Sequence, residues 1–318
     1  MRTSASKSMA TKAEAPSLLE NAPGIIPAML ELTKPRLSMM ATFSAMLGYL
    51  AYQPTPPGYS IFLFLLLGTA LAAGGAAALN QWMERQEDSR MERTLERPLP
   101  NGTIHPKMAF WFGLILSFCG LTCLLLGVNA LASGLTAATL LVYLLLYTPL
   151  KKRTPLATEI GAVSGALPPL MGWAAAVAAT PTDDGSLAFG WLLFGILFAW
   201  QMPHFMAISW TYRDDYGKAG FIMLSHEEEG FMKVARKSLV YAFLLGVLAI
   251  MPVFYDFGGG LSGIPYLCVA LVLSFGLFVS ALRFKQANDK DGAARSLFFV
   301  TIVHLPLLLT ALVIDRFI

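Results

Sequence analysis

Long apolar segments separated by short polar connections dominate the pattern of the chain. A window of about 19 residues separates nine such segments, near residues 37–53, 60–83, 108–127, 130–149, 156–179, 187–210, 238–255, 262–282 and 296–314. Unpaired backbone groups are too costly in hydrocarbon, so only helices or a closed barrel cross a bilayer, and apolar runs of about 20 residues select helices. The pattern therefore predicts an all-α, polytopic membrane protein with nine transmembrane helices.

The composition agrees with this class. Hydrophobic residues make up 56% of the 318 residues and charged residues only 14%, whereas soluble proteins carry about 25% charged residues. The N-terminal segment lacks the apolar core and cleavage site of a signal peptide, and Glu14 and Glu20 argue against an acid-poor transit peptide. We expect residues 1–30 to form a short, mobile cytoplasmic tail and residues 31–318 to form one membrane domain.

Positive charges are distributed very unevenly between the two sets of connections. Of the 23 Lys and Arg residues, 22 precede or open the first segment or accompany the connections after the second, fourth, sixth and eighth segments, which leaves Arg316. Cytoplasmic loops carry the excess of Lys and Arg. The N-terminus is therefore predicted to be cytoplasmic, or matrix-facing in an organelle, and the C-terminus to lie outside; the short leader favours a bacterial cytoplasmic membrane.

The connection after the second segment opens with an amide and two carboxylates at helical spacing. Asn80, Glu84 and Asp88 are spaced i, i+4, i+8, so a continuing helix places them on one stripe about 12 Å long. Magnesium commonly binds one or two carboxylates plus substrate phosphates, so the stripe predicts a magnesium site and an anionic substrate. The alternative is a solvated helix end, paired with the interleaved arginines. Asn80 favours the site, because polar residues inside a membrane segment usually face a cavity or pathway.

A second acidic group, Asp214 and Asp215, follows the sixth segment on the same predicted face. Together the two acidic groups can hold a diphosphate through bridging magnesium. Tyr147 and Lys151 are four residues apart at the end of the fourth segment, and they converge on one oxyanion if the turn stays helical despite Pro149. Lys151 and its two basic neighbours can equally serve as positive-inside anchors.

Two arginines and two histidines complete the candidate chemistry. Arg93 and Arg97 are four residues apart and can clamp a phosphate bidentately. His204 in WQMPHFM and His304 in TIVHLPLLL lie inside apolar segments, each near a proline. A neutral imidazole in a membrane helix can ligate haem iron, donate a hydrogen bond or act as a base, and a lone one is as often a helix-to-helix hydrogen-bond partner. The residues alone leave these histidine roles open.

Four stretches of this chain closely resemble one known family. They are LTKPRL, NQWMERQEDSRMERTLERPLP, YTPLKKRTPLATEIGAVSGALPPLMGW and FAWQMPHFMAISWTYRDDYGKAG. All four resemble the haem O synthases, or protoheme IX farnesyltransferases, of the UbiA-type intramembrane prenyltransferase superfamily. The resemblance runs from about residue 30 to the last apolar segment.

This resemblance implies nine helices around a central cavity, with two acid-rich motifs that bind magnesium and prenyl diphosphate at the cytoplasmic end. It also implies the reaction: the farnesyl group of farnesyl diphosphate passes to a vinyl group of haem B, water adds and diphosphate leaves. The product is haem O, a precursor of the haem A of terminal oxidases. The expected partners are both substrates, the bilayer, and haem A synthase or oxidase assembly factors, with no nucleic acid.

The family motifs map onto this sequence residue by residue. The resemblance assigns the metal to Asn80, Glu84, Asp88, Asp214 and Asp215, and catalysis to the same residues except Glu84, together with Lys151. Tyr147 and Lys151 match the family's tyrosine–lysine pair. We predict that substrate is bound by Glu84, Arg93, Arg97, Tyr147, His204 and His304. The arginines can meet either the diphosphate or the haem propionates, and the histidines are candidates for haem contact. Glu84 stands where many relatives have Asp, and the adjacent DD pair leaves open which aspartate faces the metal.

Three alternatives remain at this point. A prenyltransferase that acts on a quinone precursor would share the fold and the diphosphate site. A secondary transporter would explain the hydropathy, although no inverted repeat is evident and the charge is concentrated on one face. A non-catalytic oxidase assembly factor would need no diphosphate site.

Overall fold

Helices account for all regular secondary structure in the described part of this computed structural model, which comprises residues 24–52, 59–179, 186–256 and 261–317. The helices are α1 (Ile25–Leu32), α2 (Pro35–Tyr52), α3 (Tyr59–Met83), α4 (Arg85–Asp88), α5 (Pro106–Gly127), α6 (Ala130–Leu141), α7 (Thr148–Leu150), α8 (Ala157–Ala179), α9 (Ala188–Thr211), α10 (Arg213–Ala219), α11 (Gly230–Phe254), α12 (Ile264–Gln286) and α13 (Lys290–Asp315). A π-helical turn, Val142–Tyr147, joins α6 to α7. The prediction of an all-α chain is confirmed for these residues.

Eight helical runs are long and apolar enough to cross a membrane. They are α3, α5, the continuous run Ala130–Leu150, α8, α9, α11, α12 and α13. The first predicted span corresponds to α2, which has 18 residues but opens with Pro35 and Arg36 and is less apolar than the others. A ninth membrane crossing by α2 therefore stays a prediction.

The helices pack as two groups joined at the centre. One group contains α2, α3, α5, α6 and α8, and the other contains α9, α11, α12 and α13. The groups meet where α8 packs on α9, and also where α13 touches α2. Most residues of α8 and α9 are buried, as expected for the two central helices.

Two glycines allow the backbones of α2 and α8 to touch where the helices cross. A Cβ atom built on Gly172 of α8 would lie closer than 3.0 Å to the carbonyl oxygen of Ala45 in α2. A Cβ on Gly48 of α2 would come equally close to the carbonyl of Pro169. Small residues at helix crossings let backbones approach within the membrane, so this pair fixes α2 against the central helix.

The helix boundaries differ from the predicted segments mainly at the charged ends. Helices α11 and α13 begin at Gly230 and Lys290, several residues before the predicted starts at 238 and 296. The apolar pattern marks only the uninterrupted hydrophobic part of a helix, whereas the first turns, which carry charged residues, continue the same helical hydrogen bonding. Helix α1 reaches into the predicted N-terminal tail, and residues 1–23 lie outside the described residues.

Candidate active site

Asn80, Glu84 and Asp88 form the predicted stripe. The helical hydrogen bonds continue through the break between α3 and α4, because the amide of Glu84 donates to the carbonyl of Asn80 (2.9 Å) and the amide of Asp88 donates to that of Glu84 (2.8 Å). All three side chains are buried, with exposed fractions of 2%, 6% and 1%. The acids are therefore buried residues and not a solvated helix end.

Asn80 connects two separate segments through its side chain. Its Nδ2 donates to the hydroxyl of Thr148 in α7 (3.1 Å), and its Oδ1 accepts from the Lys34 ammonium (3.1 Å). Both bonds lie at the end of α3 where the charged residues begin. The amide therefore sets the positions of α7 and of the turn between α1 and α2 relative to the stripe.

Glu84 pairs with Lys151, the lysine predicted from the YTPLK motif. Their Oε1 and Nζ atoms are 2.5 Å apart, and both side chains are almost fully buried. The predicted helical turn is present, because the amide of Lys151 donates to the carbonyl of Tyr147, and the ammonium lies 4.6 Å from the centre of the Tyr147 ring. Burial lowers the pKa of Lys151, but the Glu84 carboxylate together with the Tyr147 and Tyr143 hydroxyls outweighs burial, and the pKa is raised. Lys151 therefore stays charged.

Asp88 and its neighbour Glu87 are also paired with basic side chains. Asp88 forms an ion pair with Arg97, with 2.7 Å between Oδ2 and the guanidinium nitrogen, and its carbonyl accepts from the Thr94 hydroxyl. Glu87 pairs with Lys152. Each buried carboxylate of this segment thus has a basic side chain as its counter-ion.

Arg93 and Arg97 diverge and do not form one clamp. Whereas Arg97 binds Asp88, the Arg93 guanidinium lies 5.0 Å from the ring centres of both Tyr212 and Tyr216. These tyrosines flank the second acidic group. Arg93 therefore connects the first acidic segment to the second.

The second acidic group lies beside the first but is more open. Asp214 is exposed, whereas Asp215 is partly buried, with an Oδ1 atom 3.7 Å from the Lys218 ammonium. Lys218 in turn pairs with Glu92 at 2.6 Å. The structure thus brings the two acidic segments together, with Asp215 the more enclosed of the two aspartates.

Two further contacts gather the helix ends into one charged end of the bundle, which we define as residues 80–107, 147–157, 211–230 and 286–291. The amide of Ile222 donates to the carbonyl of Lys151 at 2.7 Å. Arg213 pairs with Asp291, in the first turn of α13, at 2.8 Å. All the predicted anion-binding and metal-binding residues lie at this end.

Lys34 belongs to the site although the sequence reasoning missed it. It adopts a left-handed backbone conformation (φ 45°) directly before Pro35, a region that non-glycine residues rarely occupy. Burial, with a further contribution from Arg97, lowers the pKa of Lys34 to about 8. Lys34, Arg36 and Arg97 line a cavity of about 360 Å³. The available signal was a Lys-Pro pair directly before an apolar segment.

The two membrane histidines have different surroundings. His204 is stacked between Trp200 and Phe298, and its Nδ1 lies 2.8 Å from the hydroxyl of Thr301. His304 is 2% exposed, and neither ring nitrogen has a hydrogen-bond partner among the described residues. Neither histidine contacts the charged end, so the structure separates them from the acidic residues.

Comparison with known proteins identifies the family. Residues 41–303 match the model described as the UbiA prenyltransferase family. The chain belongs to this family. Within it, the chain is 45% identical to a protoheme IX farnesyltransferase of Opitutus terrae over 90% of this chain and 94% of that protein, and it belongs with the farnesyltransferases of that name.

Solved structures of UbiA relatives share the fold. A structure described as digeranylgeranylglyceryl phosphate synthase matches with a TM-score of 0.75 at 18% identity, covering 92% of this chain and 98% of that one. A UbiA homologue from Archaeoglobus fulgidus, bound to GPP and Mg²⁺, matches with a TM-score of 0.57 at 13% identity, covering 90% and 99%. The predicted UbiA-type fold and prenyl transfer are confirmed by family membership, and the chain is a multi-pass membrane protein.

Proposed function

We propose that this chain transfers the farnesyl group of farnesyl diphosphate to a vinyl group of haem B. The C–O bond to diphosphate breaks, a C–C bond forms at the vinyl terminus, and water adds to the resulting cation with loss of a proton, giving haem O. The acceptor rests on the relatives named protoheme IX farnesyltransferase. The observation that carries the donor half is the buried stripe Asn80, Glu84 and Asp88, surrounded by Lys34, Lys151 and Arg97.

The acidic residues suit magnesium bound together with a diphosphate. In the part of the chain that the structure describes, no three His, Cys, Asp or Glu side chains converge as metal ligands. Each of the two acidic segments can supply one or two carboxylates to a magnesium ion, which completes its shell with phosphate oxygens and water. We assign Asn80, Glu84, Asp88, Asp214 and Asp215 to this role, with Asp215 favoured in the second pair because it is more enclosed. Bound magnesium would stabilise charge on the leaving diphosphate.

The basic side chains act on the same leaving group. Two lysines contact the stripe directly. Lys151 is charged and pairs with Glu84, and Lys34 donates a hydrogen bond to Asn80. Their ammonium groups are positioned before substrate binds, so they stabilise the developing negative charge without reorganisation. Of the two arginines, Arg97 pairs with Asp88, whereas Arg93 lies over the Tyr212 ring. We assign Arg97 to the diphosphate, because it already binds Asp88, and Tyr147 to the reacting end of the prenyl chain.

The haem is expected beyond the charged end, in the membrane. His204 and His304 are the imidazoles available at that depth, and we assign both to haem contact. With the charged end in the cytoplasm, diphosphate would be bound and released on the cytoplasmic side of a bacterial inner membrane. Haem A synthase and oxidase assembly factors are the proposed partners for product transfer.

The deciding experiment incubates purified full-length protein in detergent with haem B, farnesyl diphosphate and magnesium, followed by mass analysis of the extracted haem. The haem O mass should appear, should require magnesium, and should fall by about 100-fold or more in Asp88→Ala, as for loss of one preorganised electrostatic group. Glu96→Ala, which removes an exposed acid of the same segment, is the matched control and should retain product. Prenylation of quinone precursors in place of haem would overturn the acceptor and keep the donor site.

A further inference from the structure

The surroundings of His204 leave its imidazole little freedom. Its ring is stacked between Trp200, with 4.9 Å between ring centres, and Phe298, with 5.0 Å. The indole nitrogen of Trp200 donates to the carbonyl of Thr301 at 2.8 Å, which fixes this part of α9 against α13. The ring plane of His204 is therefore set by packing on both faces.

The Thr301 hydroxyl determines which nitrogen of His204 carries the proton. Its Oγ1 lies 2.6 Å from the carbonyl oxygen of Phe298, and two oxygens at that distance repel unless a proton lies between them. A hydroxyl has only one proton to donate, so Thr301 donates to Phe298 and must accept from His204. The Nδ1 of His204, 2.8 Å away, is consequently the protonated nitrogen.

This arrangement leaves Nε2 of His204 with a free lone pair. Among the described residues, the only hydrogen bond of the His204 side chain is the one through Nδ1. The residue is partly buried, so with both ring faces covered and Nδ1 bonded, the remaining accessible part of the ring is its outer edge. A histidine that donates one ring nitrogen to a fixed acceptor and presents the other is the usual arrangement of a metal-binding imidazole.

We infer that Thr301 is a positioning residue that holds His204 in the Nδ1-protonated form, so that Nε2 can bind the iron of the haem substrate. The inference rests on the proposed function for its ligand and names a residue that the family motifs do not assign. Donation from Nδ1 to an oxygen raises the basicity of the ring, so Thr301 also strengthens the iron–nitrogen bond. His304 has no equivalent acceptor in the described part of the chain, so we assign it to contact without ligation.

The test measures the resonance Raman spectrum of ferrous haem B bound to the purified full-length protein without farnesyl diphosphate. The iron–histidine stretching band should be present in the wild type, absent in His204→Ala and retained in His304→Ala. Thr301→Val keeps the side-chain shape but removes the acceptor, and it should shift the band to lower frequency. Thr301→Ser restores the hydroxyl and should restore the wild-type frequency.

Two results would overturn the inference: a band that persists in His204→Ala, or a frequency that is the same in Thr301→Val as in the wild type. A merely structural role for Thr301 would reduce the amount of folded protein without moving the band. Failure of the proposed function would look different: the wild-type protein would bind haem and show the iron–histidine band, but it would form no haem O.

Discussion

At the residue scale, the site is built from buried charges that neutralise one another. Glu84 and Lys151 form one such pair, and Asp88 with Arg97 forms another. Burying two charges together costs desolvation, and the pair contributes little net stability, whereas one partner left alone is strongly destabilising. The charges are thus retained for what they bind, and each partner is needed for the other.

We expect Lys151→Met to destabilise the protein by about 3–5 kcal/mol, because it leaves the Glu84 carboxylate buried without a counter-ion. Lys233→Met is the matched control, since Lys233 and its partner Glu227 both have exposed side chains, at 43% and 37%. The free energy of unfolding in detergent would be compared for both variants. Equal losses would contradict the assignment, as would a Glu84→Gln/Lys151→Met protein no more stable than Lys151→Met.

Lys34 gives the site a dependence on pH. With a pKa of about 8 in the folded protein, its ammonium is charged below that pH and neutral above it. We expect kcat/KM for farnesyl diphosphate to fall as the pH rises through about 8, because the parameter reports the free enzyme. Lys34→Arg, which stays charged, should remove this limb of the profile.

The same lysine should affect stability in the opposite direction. Its pKa is about 8 in the folded protein, against 10.5 for an unperturbed lysine. The unfolded chain therefore binds more protons between these two pH values, and stability rises with pH there. Between about pH 8 and pH 10.5, the free energy of unfolding of the wild type should increase relative to that of Lys34→Met. If the free energy of unfolding and kcat/KM both fell as the pH rises, general unfolding would explain the loss of activity instead.

The sequence predicts the stripe because i, i+4 spacing within one helix is a local property. The partner of Asn80 could not be predicted in this way, since Lys34 lies 46 positions earlier and meets it only through helix packing. Glu84 and Lys151 were each predicted as site residues. Their ion pair could not be predicted, because it depends on how two separate segments cross. The bond between His204 and Thr301 spans 97 positions and has the same limit.

At the element scale, the position of the stripe depends on how the central helix α8 holds its neighbours. Helix α8 packs against α2 on one side and α9 on another. Tyr147 in the π-helical turn also needs α8, because a Cβ on Gly161 would lie closer than 3.0 Å to its ring. Hydrophobic periodicity locates these helices, but the π turn and the close crossings depend on single residues that the pattern does not mark.

The α2–α8 crossing can be tested with one methyl group. We expect Gly172→Ala to destabilise the protein by about 1–3 kcal/mol or more, as for overpacking, because the new Cβ meets the backbone of Ala45 and neither group can move alone. Gly276→Ala in α12 is the matched control, since its Cβ would have nothing within 4 Å. The control should be neutral or stabilising by up to about 1 kcal/mol from helix propensity. Similar melting temperatures for the two variants would contradict the close backbone contact between α2 and α8 at Gly172.

At the scale of the whole molecule, the dominant feature is the concentration of positive charge at one end. The structure gathers Lys151, Arg93, Arg97 and Arg213 there through ion pairs and ring contacts, so the asymmetry that the sequence shows in its loops becomes one surface. The same surface surrounds the proposed diphosphate site, and by the positive-inside rule it predicts that this end of the bundle is cytoplasmic. The predicted orientation and the proposed function therefore depend on the same residues.

This orientation is open to direct measurement. After replacement of Cys119, Cys123 and Cys268, single cysteines at Glu96 and Ser186 would be exposed at opposite ends of the bundle. We expect a membrane-impermeant maleimide to label Glu96→Cys only in inverted vesicles and Ser186→Cys only in spheroplasts, because the positively charged loops stay in the cytoplasm. The reverse pattern would put the diphosphate site outside, away from a cytoplasmic supply of its substrate, and would overturn the proposed side of release while leaving the chemistry of the site intact.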